Sequence, residues 1–180
     1  CGAYAKVEGF AFLPITSFTY AITPFVGQNL GAEEFDRAKK GARFGILCSL
    51  LIAEGIGVIT YVFSPAFIGA FCDSQAAIAF GVDKAHICAL FFCLRAATHC
   101  LSAVLRGAGR AMVPMVVMLS VWCVLRVSIL WIAVPITQSI NTVNWVYPIT
   151  WSISTVVLLI YYRKSDWLHS FQREAERKRG

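Results

Sequence analysis

Five apolar runs, each about as long as a lipid bilayer is thick, limit this chain more than any other feature. Gly9–Val26 and Val143–Tyr162 carry no charge, Phe44–Phe63 carries only Glu54, Ala85–Leu105 only Arg95, and Ala111–Ile136 only Arg126. About 20 mostly apolar residues cross the hydrocarbon of a membrane as a helix. In lipid every backbone N–H and C=O must find its partner within the segment, so the runs are expected to be helices. Composition agrees: the chain is 58% hydrophobic and 14% charged, with a mean hydropathy of +0.66. A soluble domain has roughly 45–50% apolar and about 25% charged residues, and 180 residues cannot enclose this much apolar surface. The expected fold class is all-α, a polytopic transmembrane bundle at residues 1–162, followed by a basic tail at 163–180. Pro14, Pro24, Pro114, Pro135 and Pro148 fall near span ends or kink them. The chain begins with Cys1 and has no signal peptide, so it reads as a piece of a longer protein lacking its N-terminal part.

The charges outside these runs set an orientation. The run ending at Val26 passes through Gly27-Gln28-Asn29-Leu30-Gly31 into a charge-dense stretch from Glu33 to Arg43. With five alternating spans, twelve Lys or Arg residues fall on one side (Arg37, Lys39, Lys40, Arg43, Arg106, Arg110, Arg163, Lys164, Arg173, Arg177, Lys178 and Arg179) and only Lys6 and Lys84 on the other. By the positive-inside rule the rich side is cytoplasmic. The stretch around residues 27–43 is then a cytoplasmic loop and the C-terminal tail is cytoplasmic, in a multi-pass protein of the plasma membrane. Trp167, Leu168 and Phe171 among basic residues suit a tail lying on the inner membrane surface or one that is simply solvated. A net charge of +6 arranged in this way does not point to nucleic acid. The seven cysteines form no CxxC pair and mostly sit in apolar runs, as small packing residues rather than metal ligands.

Polar residues recur at helical spacing within three runs. Thr16, Thr19, Tyr20 and Thr23 lie on one face of the first, with Phe12 a turn earlier; Arg95, Thr98, His99 and Ser102 do so in the third, and Tyr147, Thr150, Trp151 and Ser154 in the fifth. Such stripes either join helices by hydrogen bonds or line a shared cavity. Glu54, Arg95 and Arg126 each cost about 2.5–3.5 kcal/mol in mid-membrane unless paired or hydrated. Glu54 paired with Arg95 or Arg126 is one reading, a hydrated substrate or ion path the other. No nucleophile elbow, P-loop or HExxH is present, so the chain does not read as an enzyme or as an ATP-driven pump.

Three runs resemble the MATE (multidrug and toxic compound extrusion) transporters. They are Phe25-Val26-Gly27-Gln28-Asn29-Leu30-Gly31-Ala32 followed by Arg37-Ala38-Lys39-Lys40-Gly41; Leu105-Arg106-Gly107-Ala108-Gly109-Arg110-Ala111-Met112-Val113-Pro114; and Trp145-Val146-Tyr147-Pro148-Ile149-Thr150-Trp151. The resemblance spans essentially the whole chain, with Gly27, Gln28, Gly31, Arg106 and Gly107 as motif residues. It implies helices eight to twelve of a twelve-helix, two-lobed transporter, the N-terminal lobe of the same protein being the missing partner. It also implies secondary active efflux of small organic, often cationic, compounds in exchange for Na⁺ or H⁺, with no other cofactor. Some branches use an acidic residue of helix ten for the coupling cation; the corresponding position here is Arg95. Candidate pathway residues are Glu54, Arg95, Thr98, His99, Thr16, Tyr20, Thr23, Tyr147 and Trp151. Two other functions compete: a lipid-linked oligosaccharide flippase of the same superfamily, and a non-transporting membrane scaffold in which the mid-membrane charges are fully paired.

Overall fold

The computed structural model describes residues 2–71, 74–137 and 140–167. Cys1, Cys72, Leu168, Phe171 and the basic tail beyond Trp167 lie outside the described residues. The chain is a helical membrane bundle: α1 (Gly2–Gly31), α2 (Phe35–Gly69), α3 (Gln75–Ala89), α4 (Phe92–Gly107), α5 (Met112–Met118), a π-helical turn (Leu119–Leu125), α6 (Arg126–Thr137) and α7 (Ile140–Lys164). The π turn lies within one apolar rod running Met112–Thr137. Pro14 and Pro24 sit inside α1, Pro65 inside α2, Pro135 inside α6 and Pro148 inside α7.

Two elements differ from the reading of the sequence. The stretch read as a loop at 27–43 is mostly helix: α1 continues to Gly31 and α2 starts at Phe35. Glu33 takes a left-handed φ of 61° in the short turn between them. The third run is not a single span over Ala85–Leu105. It starts earlier, at Gln75, and breaks between α3 and α4 with a 57° bend. At 15 and 16 residues, each half is only about 24 Å long, too short to cross alone.

The helices pack by size rather than by polarity. The buried residues of α2 are Ala38, Ala42, Gly45, Ser49, Ala53, Gly57, Thr60, Ser64 and Ile68, all but the last small. Its large residues Phe44, Leu47, Leu51, Val58 and Val62 face outwards. In lipid there is no gain from hiding Leu from the solvent; small residues mark the contact because they let backbones approach. Gly57 is such a point: a Cβ there would lie 2.6 Å from the Ala89 carbonyl oxygen at the α3 break. α4 sits at the centre, against α1, α2, α5 and α7, and Leu101, Ser102, Ala103, Val104 and Leu105 are all buried. A helix buried on every side is the core of its bundle. α6 has no buried residue, and Trp131 is 81% exposed on it.

Two of the sequence motifs meet. A Cβ on Gly107 would lie 2.5 Å from the Thr23 carbonyl oxygen and 2.9 Å from Val26 Cβ, and one on Gly27 would lie 3.2 Å from the Gly107 carbonyl oxygen. Thr23 and Gly27 on α1 face Ala103 and Gly107 on α4, and the Thr23 hydroxyl donates to the Ala103 carbonyl at 3.3 Å. This is a small-xxx-small crossing. Gly109, with φ 76°, then turns the chain into α5.

Candidate functional site

At the end of the bundle opposite that crossing, aromatic and charged side chains from six helical segments converge. Tyr4, Glu8 and Phe12 repeat every fourth residue on α1, which places them on one face. Glu8 forms an ion pair with Arg95 of α4. The Arg95 guanidinium also lies 3.8 Å from the centre of the Phe12 ring and 5.5 Å from that of Trp151 on α7. Arg126, at the start of α6, donates from Nε and Nη2 to the Thr150 hydroxyl at 3.2 and 2.6 Å. It stacks over Tyr147 at 4.7 Å and Trp122 at 5.4 Å. Lys84 of α3 holds its ammonium 4.1 Å from the Tyr147 ring centre and 5.1 Å from that of Tyr4. His99 packs edge-on between Phe12, at 4.9 Å, and Trp122, at 5.4 Å.

Beneath this layer is a floor of hydroxyls. Thr98 Oγ1 lies 2.8 Å from Thr155 Oγ1 and 3.2 Å from Ser154 Oγ, and Trp122 Nε1 donates to Ser154 Oγ at 3.2 Å. Thr155 also donates to the Leu94 carbonyl at 2.8 Å. Thr98, Ser154 and Thr155 are buried, and the network ties α4 to α7 and to the π turn.

The site thus brings together Arg95, Thr98, His99, Tyr147 and Trp151 from the stripes of the third and fifth runs. It does not gather the other pathway candidates, Glu54, Thr16, Tyr20 and Thr23. Glu54 is exposed on α2, beside the Cys93 thiol, and forms an ion pair with neither Arg95 nor Arg126; the partner of Arg95 is Glu8. Tyr20 is 77% exposed. Thr16 and Thr19 donate to the carbonyls three residues earlier, at 2.8 and 2.7 Å, and Thr23 serves the α1–α4 crossing, so the first stripe back-bonds and joins helices rather than lining the cluster. Glu8, Lys84 and Trp122 were absent from the candidates drawn from the sequence. The signal for Glu8 was its spacing from Phe12. For Lys84 there was none, because it sat outside the apolar window that helix α3 in fact overruns.

Electrostatically the cluster holds three cations and one carboxylate. Cation–π contacts are worth about 0.5–2 kcal/mol each, whereas an unpaired charge in mid-membrane costs about 2.5–3.5 kcal/mol. The rings therefore offset only part of the cost of Arg126. A second feature, a groove of about 430 Å³ between α2, α4 and α7, has an apolar floor including Leu50, Ala97 and Leu101, with Arg43 and Arg163 at its edge.

A family model described as MatE matches residues 2–132. The chain belongs to the MatE family. It is 26% identical over 164 residues to the probable multidrug resistance protein YoeA of Bacillus subtilis (strain 168), covering 90% of this chain and 35% of that protein. It is 28% identical over 118 residues to the probable multidrug resistance protein NorM of Thermotoga maritima, covering 65% of this chain and 25% of that one. A solved structure described as the inward-facing conformation of a multidrug resistance MATE family transporter of the MOP superfamily superposes with a TM-score of 0.82 at 15% identity, over 94% of this chain and 39% of that chain. The MatE chain thus has the fold of part of such a transporter and spans about a third of the length of its curated relative YoeA.

Proposed function

We propose that this MatE chain is the C-terminal lobe portion of a secondary active multidrug efflux transporter that exchanges organic compounds for Na⁺ or H⁺ at the plasma membrane. The observation that carries the reading is the convergence of Arg95, Arg126, Lys84, Tyr147 and Trp151 inside a bundle whose outer surface is built for lipid. The multidrug resistance names of its relatives support it. In this reading the turn between α1 and α2 and the basic tail are cytoplasmic. The other partner is the N-terminal lobe of the same protein, and the chain alone does not transport, because alternating access needs two lobes to rock against each other. Transport, not catalysis, is its work.

The test is efflux of a panel of fluorescent organic cations and anions from proteoliposomes holding the full-length protein, first under an imposed proton gradient and then under an imposed Na⁺ gradient. Efflux under one gradient, reduced about tenfold or more in a folded Arg95→Ala variant, is expected, since a charged contact is worth roughly 1.5–3 kcal/mol. No efflux under either gradient, with a lipid-linked oligosaccharide flipped instead, would replace the exporter with a flippase.

A further inference from the structure

We propose that Lys84 and Arg126 form an oxyanion-binding subsite that takes the carboxylate, sulfonate or phosphate of an organic anion beside Tyr147. The proposal rests on the transport reading and narrows it to a substrate class. Of the three cations in the cluster, Arg95 has its carboxylate, Glu8. Lys84 has only ring contacts among the described residues, with Tyr147 and Tyr4. Arg126 spends Nε and Nη2 on a single neutral hydroxyl, that of Thr150. Both charges lie over the same ring, at 4.1 and 4.7 Å from its centre. The other nearby acids do not balance them: Glu54 is on α2 beside Cys93, and Asp83, next to Lys84 in the chain, is exposed and forms no ion pair among the described residues.

A second observation points the same way. Arg95 Nε and His99 Nε2 are buried without a hydrogen-bond partner. A buried polar nitrogen is normally satisfied, so the same cluster holds donor capacity, the Arg95 Nε–H, that the described residues do not use. A carboxylate or phosphate accepts from Arg and Lys in charge-assisted hydrogen bonds. An ammonium guest would instead meet two like charges in a low-dielectric site. The apolar and aromatic walls, Tyr147, Trp122 and Trp151, suit a flat body behind the charged head.

The experiment is calorimetric binding to the full-length protein in nanodiscs without any ion gradient, so that its result is independent of whether efflux is observed. The probes are 1-naphthalenesulfonate and its cationic counterpart, 1-naphthyltrimethylammonium. The sulfonate is expected to bind at least about tenfold more tightly than the cation. Lys84→Gln and Arg126→Gln are each expected to weaken it about tenfold, while Lys84→Arg and Arg126→Lys, which keep the charge, hold most of the affinity and control for folding. Running the titration in phosphatidylcholine discs and again with added phosphatidylglycerol identifies the source of the anion. Equal affinity in both upholds the site for a soluble organic anion; affinity lowered by phosphatidylglycerol upholds it with a lipid headgroup as occupant. Equal affinity for sulfonate and cation, or Gln variants that bind the sulfonate like wild type, would overturn the proposal.

Discussion

The Glu8–Arg95 pair joins α1 to α4 where both side chains are about one-fifth exposed. Removing one partner of a largely buried pair leaves a charge without compensation, whereas replacing both with apolar groups costs much less. Glu8→Gln is therefore expected to lower stability in detergent more than the double replacement of Glu8→Gln with Arg95→Met. A double-mutant cycle on thermal unfolding is expected to give a coupling of about 1–3 kcal/mol; a coupling near zero would mean that Arg95 finds water or another acceptor. At this scale the sequence was half legible. Arg95, Thr98, His99, Tyr147 and Trp151 were recognisable because a polar residue in an apolar run is costly and must have a reason. Glu8 and Lys84 were not, because a hydropathy window ends where charge begins while a helix does not: α1 starts at Gly2 and α3 at Gln75.

Helices meet here through backbone clearance. A Cβ on Gly107 would press on the Thr23 carbonyl at 2.5 Å, and a backbone atom cannot swing aside as a side chain does. Gly107→Ala is expected to destabilise by about 1–3 kcal/mol through overpacking. Gly55, on α2, has nothing within 4 Å of its Cβ position, and Gly55→Ala is expected to be neutral or to stabilise by about 0.5–1 kcal/mol through helix propensity. Opposite shifts in melting temperature for the two variants would establish that the crossing, and not glycine content, is what counts; equal shifts would refute it. The glycine motifs were visible in the sequence, but not that Gly27 and Gly107 are two sides of one contact. The bend at residues 90–91 was hidden too, since no proline or glycine marks it. The bend packs against α2, where Gly57 leaves room for the Ala89 carbonyl.

Across the whole molecule, the apolar runs made the fold class legible, because the number and length of membrane helices follow from transfer free energy alone. Which helix would stand at the centre was not legible in the same way. α4 is the least obvious span in the sequence, carrying Arg95, Thr98, His99 and Ser102, and it reaches membrane length only when joined to α3 across the bend. Its place is made for it by others: α1 and α2 on one side, α7 on the other, with the Thr98 hydroxyl closed off by Ser154 and Thr155. That geometry has a consequence for how the chain is made. A ribosome delivers α1 and α2 before α4, so two walls of its seat are already in the membrane when it leaves the tunnel, but the last wall is delivered last. A nascent chain stopped after Thr137 would leave the Thr98 hydroxyl without Ser154 and Thr155, and the Arg126 guanidinium without Thr150, until α7 arrives. Such a truncated chain is expected to be cleared by membrane proteases within its first minutes, in a pulse-chase, while the chain carrying α7 persists; equal lifetimes would mean that α4 does not wait for α7. The order of synthesis is thus part of what this fold requires of its cell.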